Sequence, residues 1–195
     1  MLHQNYNDLF HSSLEKYTPI SKATFSELLT ISTLKPTEKG EFLLHTGQTA
    51  RKIYFICEGI VTSLFITQEG GTHIKNFFLA GNFAASTVSA MLSVPSSFSL
   101  EILEGGFIFE LDFKRYKQLI LENEELKLFY IAYVEQKWII ENERRQISFA
   151  TQTATERYLT FLKEYPTLED RVTQHHIASY LGVTPTQLSR IRRGL

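Results

Sequence analysis

The rhythm of apolar and polar positions changes twice along the chain. Over the first 35 residues it is helical, with Phe25, Leu28 and Leu29 at i, i+3 and i+4 behind Ser21, a residue type that starts helices. From Gly40 to about Asp112 the pattern shortens to apolar runs at Glu41–Leu44, Ile53–Cys57, Ile60–Thr67, His73–Leu79, Phe98–Leu103 and Phe107–Leu111. Gly40, Gly47, Gly59, Gly70-Gly71, Gly81 and Gly105-Gly106 punctuate these runs. Short strands separated by glycine turns predict an antiparallel sandwich or barrel. In Gln68-Glu69-Gly70-Gly71 the glycines supply the positive φ that a hairpin turn requires.

No glycine occurs between Phe113 and Leu181. Phe113 to Phe149 is rich in Glu, Lys, Leu, Ile and Gln, which predicts long helix. One stripe of it carries Phe129, Tyr133, Gln136, Ile140, Glu143 and Ile147; a second carries Leu128, Ile131, Glu135, Trp138 and Ile139. A helix apolar on two sides needs two partners. The β-rich part is one, and a second copy of the helix is the expected other, with Phe129, Tyr133, Gln136, Ile140 and Ile147 as the expected dimer contacts. Phe149-Ala150-Thr151-Gln152 reads as a break, and Thr153-x-x-Glu156 as a capping box opening a helix that runs to about Tyr165, before Pro166. The expected division is therefore 1–150 and 151–195.

The last 23 residues, Thr173 to Leu195, fit a helix-turn-helix. Ile177, Ala178, Leu181, Val183, Leu188 and Ile191 stand where two steeply packed short helices share a small core, and Gly182 stands where the turn takes a positive φ. Thr184, Pro185 and Gln187 supply N-cap, first-position proline and capping partner for the second helix. Its outward positions are Thr186, Gln187, Ser189, Arg190 and Arg193. Arg pairs bidentately with guanine and Gln with adenine in the major groove. Thr173, Gln174, Thr184 and the helix N-terminal amides suit phosphates instead.

Charge supports this placement although the whole chain is only −1. From Arg171 onward there are four arginines (Arg171, Arg190, Arg192, Arg193) and no acid, so this end is +4 and the remainder −5. The composition, 43% hydrophobic and 21% charged over 195 residues, is that of an ordinary globular protein. No basic stretch followed by an apolar run opens the sequence, and no apolar run approaches the roughly 20 residues of a membrane span. A cytoplasmic protein without membrane contact is the expectation.

This order of parts resembles the CRP/FNR family of regulators over nearly the whole chain. The likeness rests on Gly47, Ile53-Tyr54-Phe55-Ile56-Cys57-Glu58-Gly59, Gly81-Asn82-Phe83, and Ile177-Ala178-Ser179-Tyr180-Leu181-Gly182-Val183-Thr184 through Ser189-Arg190. It implies an α+β fold: an N-terminal antiparallel β-roll, cyclic-nucleotide-binding-like, with flanking helices; a long dimerisation helix; and a C-terminal all-α helix-turn-helix domain lacking most of the wing. It further implies a homodimer on a palindromic double-stranded operator, with RNA polymerase as a candidate partner and a base-reading role for Arg190. The family's two other usual base readers match Pro185 and Thr186, which cannot copy those contacts. The wing that usually follows is expected to matter more for backbone contacts than for base selectivity.

The family's cyclic-nucleotide binders hold the ribose with Gly-Glu and the phosphate with Arg-Ser; Ala85-Ser86 and Ser96-Ser97 stand at those places here. No Lys or Arg lies between Lys75 and Lys114. A buried phosphate without a cation loses its hydration uncompensated. A cyclic nucleotide is therefore not the expected effector. A pocket lined by Phe83, Ser86, Thr87, Ser96, Ser97 and Asn142, with Ser89 nearby, would suit a neutral or apolar small molecule. One cysteine, Cys57, cannot hold the iron–sulfur cluster of the oxygen-sensing branch. His45, His73 and Cys57 leave haem formally open, although a histidine in a β-rich segment is usually a satisfied polar residue; the diverging pair His175-His176 forms no chelating set. No cofactor or metal is expected. The histidines also lack the His-x-His of a cupin-type enzyme, and no Gly-x-Ser-x-Gly elbow or phosphate-binding glycine loop occurs, so catalysis is not expected. The competing reading is a small-molecule sensor or protein-interaction module whose helix-turn-helix is vestigial.

Overall fold

The computed structural model describes residues 2–66 and 71–195, so most of the expected turn at Gln68-Glu69-Gly70-Gly71 lies outside the described residues. Two helices open the chain, α1 (Leu2–Glu15) and α2 (Lys22–Thr30), the second capped by the Ser21 hydroxyl on the Thr24 amide. The helical reading of the first 35 residues overshoots, because β1 begins at Ser32 (Ser32–Thr37). Its outer positions pair with a distant strand, and local pattern carries no trace of that partner.

The remaining strands are β2 (Phe42–Leu44), β3 (Lys52–Ile66), β4 (Thr72–Phe78), β5 (Phe83–Ala84) and β6 (Ser99–Asp112). All pairings are antiparallel, in the order β1-β6-β3-β4, with β2 on β6 and β5 on β3. Helix α3 (Thr87–Leu92) lies between β5 and β6. Two pairs of expected strands are each one long strand. Gly59 sits inside β3 and Gly105-Gly106 inside β6, where the β3–β6 register shifts repeatedly. These glycines permit close crossing rather than a turn. A Cβ on Gly59 (φ +95°) would lie 2.4 Å from the Glu104 carbonyl oxygen, and one on Gly106 would lie 2.3 Å from that of Glu58. The bulges bend the long strands over, and the sheet curls into a roll.

Helix α4 (Phe113–Glu122) starts on the Asp112 cap and ends at Asn123, whose backbone is extended and whose side-chain oxygen caps α5 (Glu124–Tyr133) by accepting from the Leu126 amide. The expected single helix from Phe113 is thus broken at Asn123. Beyond α5 the chain makes π-helical turns over Val134–Ile140, then resumes as α6 (Glu141–Thr151). The Glu141 amide bonds to the Gln136 carbonyl, five residues back. The break after α6 comes at Gln152, and α7 (Ala154–Glu164), α8 (Gln174–Leu181) and α9 (Pro185–Arg193) follow. No helix among the described residues is long and apolar enough to cross a membrane.

Three apolar cores hold these parts. In the first, α1, α2, α4 and α5 cover one face of the sheet, and Phe10 stacks on Phe55 at 4.2 Å and on Phe109 at 5.3 Å. The second fills the roll with Tyr54, Ile56, Val61, Leu100, Ile102 and Ile108. The third joins Ile60, Leu64, Ile74, Phe77 and Leu103 of the sheet to Tyr158, Phe161, Ile177, Leu181 and Leu188 of the C-terminal helices. The C-terminal helices are therefore packed on the roll.

Candidate nucleic-acid interface and ligand pocket

The helix pair is built by its caps. Thr173 accepts from the His176 amide at 3.2 Å and starts α8, while Gly182 ends it at φ +68°. The Val183 amide then closes on the Ala178 carbonyl at 3.0 Å. For α9 both halves of the capping box form: the Thr184 hydroxyl accepts from the Gln187 amide at 3.1 Å, and the Gln187 side-chain oxygen accepts from the Thr184 amide at 2.8 Å. Pro185 occupies the first helical position. Inside, Ile177, Ala178, Leu181 and Leu188 are fully enclosed. Arg157 of α7 closes the other end of α8, donating from Nε and one Nη to the Leu181 carbonyl and from the other Nη to the carbonyl of Gln152.

Packing leaves the expected DNA-contacting residues in different conditions. Arg190 and Thr186 are exposed, and neither side chain makes a hydrogen bond or ion pair among the described residues. Gln187 is half engaged in its capping box. Arg193 turns back, with Nε on the Ser189 carbonyl at 3.3 Å. Gln174, expected at phosphate, instead reaches across to α9 and donates to Ser189 Oγ at 2.6 Å. The hydroxyls of Thr173 and Thr184 accept as caps and keep their protons for an anion. The cationic end is also partly neutralised. Arg171 makes a two-pronged pair with Glu104 of β6, at 2.7 and 3.0 Å, and Arg192 pairs with Glu169 at 3.0 Å. The Arg171 hydrogen bond holds the Glu104 carboxyl below its ordinary range.

Sequence reading missed what fastens this unit to the roll. β4 is the edge of the sheet, and Ser179 of α8 satisfies it: the hydroxyl accepts from the Ile74 amide and donates to the Thr72 carbonyl, both at 2.8 Å. Arg145 of α6 bonds to Asn76 of the same strand and lies over the Tyr180 ring, 4.5 Å from its centroid. A cleft of about 550 Å³ separates Thr72 and His73 from His175, Thr184, Pro185 and Gln187, placing the start of β4 beside the start of α9. Nothing local in the sequence marks Ser179 for this job. Ser179→Ala should cost about 2 kcal/mol of stability, the worth of two hydrogen bonds. Hydrogen exchange should show protection lost in α8 and β4 first; unchanged exchange in both would contradict the docking role.

The expected ligand pocket is largely taken up by its own residues. Ser86 and Ser96, only 2% and 3% exposed, share a hydrogen bond at 2.8 Å, and Ser96 Oγ donates to the Phe98 carbonyl at 2.7 Å. Ser89 accepts from the Ala50 amide and donates to the Val94 carbonyl. Phe83 faces the other way, packed against Phe10, Phe55, Phe129 and Tyr133 in the first core. Thr87 is half-buried, while Ser97 and Asn142 are exposed. The expectation of a region without cations also needs correction. Lys75, at the margin of the uncharged segment, is carried by β4 to 4.4 Å over the Phe98 ring. Burial and the nearby Arg145 pull its pKa below the usual lysine range.

The expected dimer stripe divides. Phe129 is buried inside the chain, and Tyr133 packs on Tyr17, Phe83 and Phe129. Gln136, Ile140 and Ile147 are exposed, together with Leu128, Ile131, Trp138 and Ile139 of the other stripe. Gln136 and Ile140 stay on the side of Tyr17, lining an open cleft with it and Lys16, but nothing closes over them among the described residues. Cys57 is buried, which pushes its thiol up to about 12, so it is not an available thiolate.

A family model of the cyclic nucleotide-binding domain matches residues 34–123, which span the roll and α4. The chain is 24% identical over 168 residues to the transcriptional activator protein Anr of Pseudomonas protegens, covering 80% of this chain and 68% of Anr. It is 26% identical to the fumarate and nitrate reduction regulatory protein of Yersinia pestis, covering 80% and 66%. It thus spans about two thirds of the length of these relatives. These matches make the chain similar to regulators of the CRP/FNR type, with residues 34–123 matching the cyclic nucleotide-binding domain. Its fold agrees: the c-di-GMP-responsive global regulator CLP of Xanthomonas campestris superposes with a TM-score of 0.69 at 17% identity, over 89% of this chain and 91% of CLP. This likeness of fold extends past the matched domain into the C-terminal helices.

Proposed function

We propose that this chain is a transcription regulator that binds a palindromic DNA operator as a homodimer, through α9 in the major groove. One observation carries the reading: among the described residues α9 projects Arg190 without a hydrogen-bond or ion-pair partner, on a helix whose start is fixed by a complete capping box and whose inner face is locked by Leu188. A pre-organised helix with an unpaired arginine outward is what base reading needs, because an Arg already spent on a carboxylate could not take the guanine edge. The relatives' names, a transcriptional activator and a regulatory protein, support the same class. A cytoplasmic setting follows from work on DNA.

The second protomer would cover the exposed apolar side chains of the long helix, Leu128, Ile131, Trp138 and Ile139. The roll would act as the sensor. Ser86 and Ser96 are committed to each other and Ser89 to backbone groups, which supports an effector other than a cyclic nucleotide, neutral or apolar in character. Sensor and helix-turn-helix share one core and the Ser179 and Arg171 contacts, so a change at the roll would be felt directly by α8. Selection from a random duplex pool tests the reading. Enrichment of two inverted half-sites about one helical turn apart supports it. A pool that stays random contradicts it, and would favour the competing role of sensor or protein-interaction module.

A further inference from the structure

Gln174 opens α8 and Ser189 lies in the middle of α9, fifteen residues later, yet Gln174 Nε2 sits 2.6 Å from Ser189 Oγ and 3.4 Å from the Pro185 carbonyl oxygen. The carbonyl decides which way the amide faces. It can only accept, so the group turned toward it is NH2 and not the side-chain oxygen. Ser189 Oγ therefore receives a hydrogen bond from Gln174. A serine hydroxyl has one proton and two lone pairs; Gln174 uses a lone pair and leaves the proton. In a helix that proton would ordinarily turn back on the carbonyl four residues earlier, here Pro185. The Gln174 amide already faces that oxygen and competes for it. Among the described residues the Ser189 hydroxyl donates to nothing, and its side chain is half-buried between the two helices. Accepting from an amide also polarises the O–H and makes it a better donor.

We propose that Gln174 is a positioning residue for sequence recognition: it presents the Ser189 hydroxyl to the major groove as a donor, so that Ser189 selects bases whose groove edge carries an acceptor. This rests on the DNA-reading role given to α9 above. Guanine, adenine and thymine all offer an acceptor there, whereas cytosine offers only its amino donor. The contacted position should therefore exclude cytosine. The role replaces the phosphate contact that the position of Gln174 at a helix start first implies.

The test is a sequence-resolved binding measurement on a half-site library, with the full chain and the variants Q174A, S189A and Q174E. In the unaltered protein, one position per half-site should disfavour cytosine by about fivefold, the worth of one neutral hydrogen bond. Both Q174A and S189A should erase the preference at that same position, leaving other positions and the salt dependence unchanged. Q174E should reverse the polarity, since a carboxylate takes the serine proton and leaves oxygen toward the groove; cytosine should then be accepted. An acid in the first helical turn is favoured, so this variant keeps its fold. Uniform weakening by Q174A at every sequence would reveal a phosphate contact and overturn the proposal. So would Q174A and S189A acting at different positions, or an unaltered cytosine penalty in Q174E. Failure of the unaltered protein to retain duplex would remove the DNA-reading role itself, and this is seen before any variant is compared.

Discussion

Glutamate at both Ile131 and Ile139 is expected to convert a dimer into a monomer and to lower affinity for a palindromic duplex by at least about a hundredfold. The two side chains are 53% and 54% exposed in the isolated chain, and neither belongs to its three cores. Trp138, 45% exposed, and Leu128 extend the same surface. Burying one such side chain against a partner stabilises by roughly 1.5–3 kcal/mol, and a twofold interface repeats each contact. Placing a carboxylate there removes that gain and adds the cost of desolvating a charge. Losing the partner also loses the second half-site, which multiplies the effect on DNA. Sedimentation at micromolar concentration gives the mass, and circular dichroism checks that the fold is intact. A variant that stays dimeric would place the interface elsewhere.

Arg190→Ala is expected to weaken binding to the selected operator by about 5- to 150-fold, corresponding to roughly 1–3 kcal/mol for a bidentate base contact. Binding to random duplex should fall far less, because that depends on phosphate charge. The asymmetry follows from the surroundings of each arginine. Arg171 and Arg192 are held by Glu104 and Glu169, and Arg193 leans on its own helix, whereas Arg190 has no hydrogen-bond or ion-pair partner among the described residues. Fluorescence anisotropy on the two duplexes reads it out. Equal losses on both would reduce Arg190 to a phosphate contact.

What was legible in the sequence was local. The two capping boxes, Gly182 in the turn and the apolar positions of α8 and α9 are all set by neighbours within a few residues, and they appear where the pattern puts them. The errors arise where a distant part of the chain decides. Gly59 and Gly105-Gly106 look like turns because glycine usually ends a strand, but here backbone crosses backbone at those points. Phe129 and Tyr133 look like part of an outer stripe because spacing alone does not say which face of the helix the first core covers. Ser179 and Gln174 are polar residues on short helices, and only the third dimension shows one fastened to a strand edge and the other to Ser189 of α9. In the pocket, serine identities were readable, but their mutual hydrogen bonds and the arrival of Lys75 over Phe98 were not.

The most direct measurement is the affinity of the purified chain for an enriched palindrome, for its single half-site and for random duplex, across a range of salt. A dimer reading DNA through α9 predicts the palindrome bound at least about a thousandfold more tightly than random duplex. It also predicts a plot of log affinity against log salt with a slope of about −3 or steeper, as for four or more phosphate contacts. Equal affinity for all three duplexes, or no retention at low salt, would contradict it.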